Sequence, residues 1–112
     1  MTADARRSAL TFLIGQQLLS PDEAEGALAI AAEVLRSSLA RLAAAADAGD
    51  GPGCAEAAHA LKGNILNLGL PLLARIAQQA WDRARQGDTA AVKALCPPLH
   101  RALAPLLTSR SD

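Results

Sequence analysis

A chain of 112 residues with 51% hydrophobic but only 2% aromatic residues has room for one core, built from Ala, Leu, Ile and Val. Eleven basic and eleven acidic residues cancel to a formal charge of zero, and neither sign gathers in a block, which argues against a nucleic-acid footprint or a polybasic membrane anchor. No apolar run approaches the roughly 18 residues that span a bilayer, and two cysteines, Cys54 and Cys96, are too few for a disulfide framework and fit a reducing cytoplasm.

Helical periodicity runs through five segments, and no stretch alternates as a strand would. The first, from about Ala3 to Leu19, points Ala9, Leu10, Leu13 and Ile14 inward. Its two arginines ahead of an apolar patch resemble a signal peptide, but Gly15, Gln16 and Gln17 interrupt the patch and no small-residue cleavage site follows, so it reads as an amphipathic helix. The second opens with Ser20, Pro21, Asp22 and Glu23, a cap, a first-turn proline and the acid of a capping box. Its apolar stripe is Ala24, Leu28, Ala31, Leu35, Leu39 and Leu42, and glycines at 49, 51 and 53 end it.

The third segment starts near Pro52 and runs to about Leu68, where Gly69 and Pro71 mark a stop and a new start. The fourth buries Leu73, Ile76, Ala77, Ala80 and Ala84 and closes at Gly87 and Asp88. In the fifth, Val92, Leu95, Leu99, Leu103 and Leu106 keep one register across Pro97, Pro98 and Pro105, which predicts a single helix kinked near Pro97 and Pro98. Short links between long amphipathic helices predict an all-α, antiparallel up-down four-helix bundle over residues 20–108, with a short N-terminal helix over 1–19, forming one domain, 1–112.

Within the third segment, HALKGN (residues 59–64) sets a glycine one turn after a histidine. With about 100° per residue and His59 at zero, Leu61, Ile65 and Leu68 fall at about 200°, 240° and 180°, with Ala57 and Ala58 beside them. Glu56, Lys62, Gly63 and Leu66 fall at about 60°, 300°, 40° and 340°, on the histidine's own side. A histidine in an apolar helix is ordinarily part-buried with a satisfied hydrogen bond; here the core stripe lies opposite, so His59 should face outward. Gly63 weakens the helix by about 0.5–1 kcal/mol relative to Ala. Because helical side chains lean toward the N-terminus, a larger residue at 63 would cover the surface where His59 lies. Close helix packing is the competing explanation for that glycine. Lys62 can place an ammonium beside any group attached to the imidazole.

The pattern His59, Leu61, Lys62, Gly63 and then Gly69, within AAHALKGNILNLGL, resembles the phosphorylation-site helix of histidine-containing phosphotransfer (HPt) domains. The likeness extends from the Leu35–Asp50 helix end through LLARIAQQAWDRARQGD to the last helix. His-x-Leu-Lys-Gly arises by chance in about one chain of this length in a thousand, so the bundle context makes the match specific. The resemblance implies a carrier, not an enzyme in the usual sense and without autokinase activity. It would accept a phosphoryl group on Nε2 of His59 from an aspartyl phosphate of one receiver domain and pass it to another, the receivers belonging to a hybrid histidine kinase and a response regulator. Imidazole is a nucleophile near neutral pH without a dedicated base. Lys62 would offset phosphoryl charge and Gly63 would give steric access. No cofactor is expected on this chain, since the Mg²⁺ belongs to the receiver.

A docking face should be partly apolar with a polar rim; Leu66 with Ala55, Glu56 and Leu70 would form it, although isolated exposed leucines are equally common. A single domain with no attached receiver or kinase suggests a freestanding shuttle, and the bundle's use of every long apolar stripe makes a monomer the expected state. The balanced charge and two cysteines fit a cytoplasmic protein that binds neither nucleic acid nor membrane. Two positions depart from the family. Asn64 replaces the usual Ser or Ala, on a side the wheel turns away from His59. Trp81 stands where some members have a glutamine near the phosphorylated ring, with Gln78 and Gln79 close by, and it reads as a residue flanking the core.

Three rivals compete. A histidine-kinase dimerisation helix resembles His-Glu-x-x-x-Pro, but Ala60 and Asn64 occupy the Glu and Pro places, and no nucleotide motif is present. Cys54, His59, Cys96 and His100 are four zinc-type ligands, yet they lack Cys-x-x-Cys spacing, and Pro97 and Pro98 separate the last two. The alternative from a different class is a helical adaptor that binds receiver or other signalling domains without phosphotransfer.

Overall fold

The computed structural model describes residues 3–107, with side chains from residue 5 onward. The ends of the expected 1–112 domain, residues 1–2 and 108–112, lie outside the described residues. Among the described residues there are five helices and no strand: α1 (Ala3–Gly15), α2 (Pro21–Asp47), α3 (Gly51–Leu66), α4 (Pro71–Arg85) and α5 (Thr89–Leu107). At 1.5 Å per residue, the 27 residues of α2 span about 40 Å, close to the 42 Å long axis of the molecule. The closest pairing is α3 with α4, followed by α2 with α3, α2 with α5, and α4 with α5. Chain neighbours are therefore neighbours in space, α5 closes the ring against α2, and α1 lies across α2 and α5. This is the predicted four-helix bundle with an N-terminal helix added.

Local chemistry sets the helix ends. The Ser20 hydroxyl accepts from the Glu23 amide at 3.1 Å, while the Glu23 carboxylate accepts from the Ser20 amide at 2.8 Å, so both halves of the capping box form. Asp50 caps α3 by accepting from the Gly53 amide at 3.0 Å. Asp88 performs the same task for α5 through the Ala91 amide.

At the α3–α4 turn, Gly69 takes φ +73°. Its amide donates to the Leu66 carbonyl at 2.9 Å, and the Leu70 amide donates to the Ile65 carbonyl at 3.4 Å. That pair of bonds is a Schellman ending, which needs a left-handed residue and turns the next apolar side chain back onto the helix. The Phe12 ring of α1 packs so closely on Gly69 that a Cβ there would collide with it. Gly69 therefore serves both the turn and the seat of α1.

The Schellman geometry corrects one expectation: Leu70, placed on a docking face by its position in sequence, is only 8% exposed and belongs to the core. A second correction concerns α1, which stops at Gly15, short of Leu19. Ser20 precedes a proline and is extended, with ψ 163°, as proline requires of the residue before it. The chain therefore turns earlier, with Leu18 in the left-handed region at φ 58° and 86% exposed. Ala9 and Leu13 are buried and Leu10 is part-buried, whereas Ile14, one residue further around α1, is 40% exposed.

The core otherwise follows the predicted stripes. Ala24, Leu28, Leu35, Leu39, Leu42, Ala57, Ala58, Leu61, Ile65, Leu68, Ala77, Ala80, Ala84, Val92, Leu99, Leu103 and Leu106 are all buried. Ala31, Leu73, Ile76 and Leu95 sit part-buried at its rim. Helix α5 runs unbroken through Pro97, Pro98 and Pro105. Proline lacks an amide hydrogen, so the carbonyls of Lys93, Ala94 and Arg101 lose their usual partners four residues on. All three of those residues are exposed, and water can satisfy the carbonyls.

Candidate functional site

The sequence of α4 explains how the site is assembled on α3. Ala74, Ala77, Ala80 and Ala84 line its buried face, and the facing part of α3 contributes Ala57, Ala58, Leu61 and Ile65. The alanine methyls on the α4 side let the two helices approach closely. Trp81 lies within the alanine stripe on the wheel, about 40° from Ala77. An indole is too large for an interface filled by methyl groups, so it emerges at the rim, part-buried, over the outer face of α3.

His59 is exposed, as the wheel predicts. Its ring meets the Trp81 ring with centroids 4.5 Å apart and planes inclined by 46°, within the range of favourable aromatic pairs. Lys62, part-buried, places Nζ 5.2 Å from the Trp81 ring centroid, and the Arg85 guanidinium carbon lies 4.2 Å from the same ring. Both cations thus sit at cation–π distance from one indole. Arg85 also pairs with Asp82 at 2.7 Å. Asp82 accepts a further bond from Gln78 Nε2 at 2.9 Å. The hydrogen bond from Arg85, then that from Gln78, hold the Asp82 carboxyl below the usual carboxylate range. Lys62 has no carboxylate within salt-bridge distance among the described residues, so its charge is available to an incoming anion.

Gly63 decides between its two explanations. A Cβ at that position would meet nothing within 4 Å, so close packing inside the protein does not account for the glycine. Its effect is to leave open the surface a turn beyond His59. Glu56 is exposed, Ala55 part-buried and Leu66 43% exposed, so three of the four expected docking residues reach the surface on α3 and Leu70 does not. Asn64 is part-buried.

Trp81 flanks the core as the sequence suggests, and it also contacts the histidine directly, which the sequence reading missed. Neither neighbouring glutamine takes that place. Gln78 is committed to Asp82, and Gln79 is exposed along a groove between α4 and α5. Among the described residues no hydrogen bond reaches the His59 ring, and the aromatic contact is what holds it. Trp81 and Arg85 are spaced i, i+4, as are Gln78 and Asp82, a legible sign of a linked surface row on α4. That the row would meet His59 depended on the register between two helices, which no single-helix pattern contains.

His100, on α5, is exposed as well but has no aromatic neighbour among the described ring contacts. Both cysteines are free, Cys54 buried and Cys96 part-buried. Burial, and then the charge of Asp50 for Cys54 and of Asp47 for Cys96, pushes both thiols upward, as suits small apolar packing residues. Among the described residues no three of His, Cys, Asp and Glu gather as a metal site, and no helix is long and apolar enough to cross a membrane.

Comparison with curated proteins and with solved structures returns no match. The family model for the Hpt domain matches residues 22–108, from the first turn of α2 just past the end of α5, leaving α1 outside. An all-helical bundle, the His-x-Leu-Lys-Gly pattern on an outward face and a match over most of the chain agree. The chain belongs to the Hpt domain family, the phosphohistidine carriers that exchange phosphoryl groups with receiver domains in two-component phosphorelays.

Proposed function

We propose that His59 is the residue that carries the phosphoryl group, and that residues 1–112 work as one such unit. The observation that carries this reading is an exposed imidazole held by an aromatic contact, with an unpaired ammonium nearby and open surface at Gly63. In the forward step, the lone pair on Nε2 attacks the phosphorus of a receiver's aspartyl phosphate. The N–P bond forms as the bond between phosphorus and the bridging carboxyl oxygen breaks, and the carboxylate leaves with that electron pair. The proton on the second ring nitrogen then exchanges with water. Transfer onward is the reverse step at another receiver's aspartate.

Lys62 offsets the phosphoryl charge as it reaches the ring, and Gly63 admits the partner's surface. Ala55, Glu56 and Leu66 supply an apolar patch with a charged rim against which the receiver docks. The partners are receiver domains of a hybrid histidine kinase and of a response regulator, met by a monomer in the cytoplasm. This chain holds no cofactor in that scheme; the Mg²⁺ sits on the receiver. Neither autokinase chemistry nor hydrolysis is assigned to it.

The test uses purified receiver domains labelled on aspartate. Acid-labile, base-stable label should pass to the wild-type protein and to His100→Ala, and none to His59→Gln. Label on His59→Gln would overturn the assignment. Failure of every receiver in a broad panel to label the wild type would favour a binding-only adaptor.

A further inference from the structure

We infer that Trp81 is a positioning residue for phosphotransfer, fixing both the His59 ring and the Lys62 ammonium through one indole. The inference rests on the carrier role of His59 and adds what orients it. Among the described residues the imidazole has no hydrogen-bond partner, so its side-chain torsions are restrained by packing alone, and its ring contact is with Trp81 at 4.5 Å. Lys62 is a flexible four-carbon chain without a paired carboxylate, and its ammonium stands 5.2 Å from the same ring. A ring between the two elements defines where the nucleophile and the cation lie relative to each other.

The indole is itself steadied from α4. Arg85 stacks on it at 4.2 Å, and Asp82 holds Arg85 at 2.7 Å while also accepting from Gln78. The row Gln78, Asp82, Arg85, Trp81 thus runs from one helix to the reactive ring of the next. It performs with an aromatic face what a hydrogen-bonding side chain on α4 would do with an amide. Because the face constrains tilt and leaves both ring nitrogens without a protein partner, it orients His59 without occupying the atom that must attack.

Trp81→Ala and Trp81→Phe separate this role from a structural or docking one. In single-turnover transfer at saturating phosphorylated receiver, Trp81→Ala should slow the reaction about tenfold, and Trp81→Phe should recover most of the rate. Receiver affinity should stay within about twofold for both variants. The contact has its own readout: the indole ring current should move the His59 ring-proton resonances upfield of those of His100, and Trp81→Ala should remove that shift. A rate loss explained wholly by weaker receiver affinity, or Trp81→Ala at wild-type speed, would overturn the inference. So would His59 resonances that do not respond to Trp81→Ala. If wild-type protein accepts no phosphoryl group, the carrier reading fails, while the resonance shift still reports whether the stack forms.

Discussion

Helices α3 and α5 both carry residues that weaken a helix, and both expose a histidine. On α3 the weak point is Gly63, open to solvent, one turn after His59. On α5 it is the series Pro97, Pro98 and Pro105 around His100. The neighbours separate them. At α3 the weak point lies beside a cation and an indole that reaches over from α4. At α5 the prolines free carbonyls on exposed residues, and no row of interacting side chains from another helix meets His100 among the described contacts. Exposure and local weakness are therefore common to both faces, and what distinguishes α3 is the α4 side chains delivered by an alanine-lined interface.

The largest effect that can break the comparison is the exchange already described, in which His59→Gln removes all label and His100→Ala removes none. Next comes a pair of substitutions aimed at the two weak points. Gly63→Gln should raise stability by up to about 1 kcal/mol, since glycine is the poorer helix former, yet slow transfer from a receiver about tenfold by covering the approach to His59. Pro98→Ala should restore the amide that the Ala94 carbonyl lacks and stabilise the protein by about 1–2 kcal/mol, with transfer unchanged. Urea midpoints and single-turnover rates measured on both variants check this. A Gly63→Gln protein that transfers at wild-type speed would leave the glycine without a role. Smaller still is Lys62→Gln, which removes one partly screened charge from beside the phosphoryl group and should slow transfer about fivefold, measured at saturating receiver so that docking does not enter.

These faces also show what could be read before the fold was known. Leu61 inward and His59 outward follow from one helix's period, so the wheel placed them correctly, along with Gly63, Lys62 and the stripe of α2. Leu70 was misplaced because its direction depends on the handedness of the turn at Gly69, and a wheel does not extend past a Schellman ending. Ile14 was misplaced because a helix bundled on two neighbours buries a narrower stripe than its apolar residues suggest. Trp81 reads from the sequence as a residue flanking the core, and it does pack there; its contact with His59 depends on its size against an interface of alanines and on the register that sets α4 beside α3, which are properties of the pair. Fold class was legible in single-helix patterns, whereas half of the site is made by one helix leaning over another.

The weakest contributor on the α4 side gives the last test of that arrangement. Arg85 and Gln78 hold the Asp82 carboxyl below the ordinary aspartate range, so the folded protein binds this proton less readily than the unfolded chain does. A lowered folded value means that the stabilisation from the charged carboxylate is complete above the ordinary unfolded value and is lost as pH falls through the folded one. The Asp82 side chain is 44% exposed and screened by solvent, so the effect on stability should be small. Asp82→Asn should therefore lower the urea midpoint slightly at pH 7, and the difference from wild type should vanish in strong acid, where the native carboxyl is also protonated. The same substitution frees Arg85 from its partner without removing it from the Trp81 ring. If the row on α4 steadies the indole, the His59 ring-proton shift should shrink in Asp82→Asn at pH 7 while that of His100 stays fixed. An unchanged His59 shift would mean that Trp81 is held by its packing against the alanine interface alone, and that the polar row is only a solvated edge of α4.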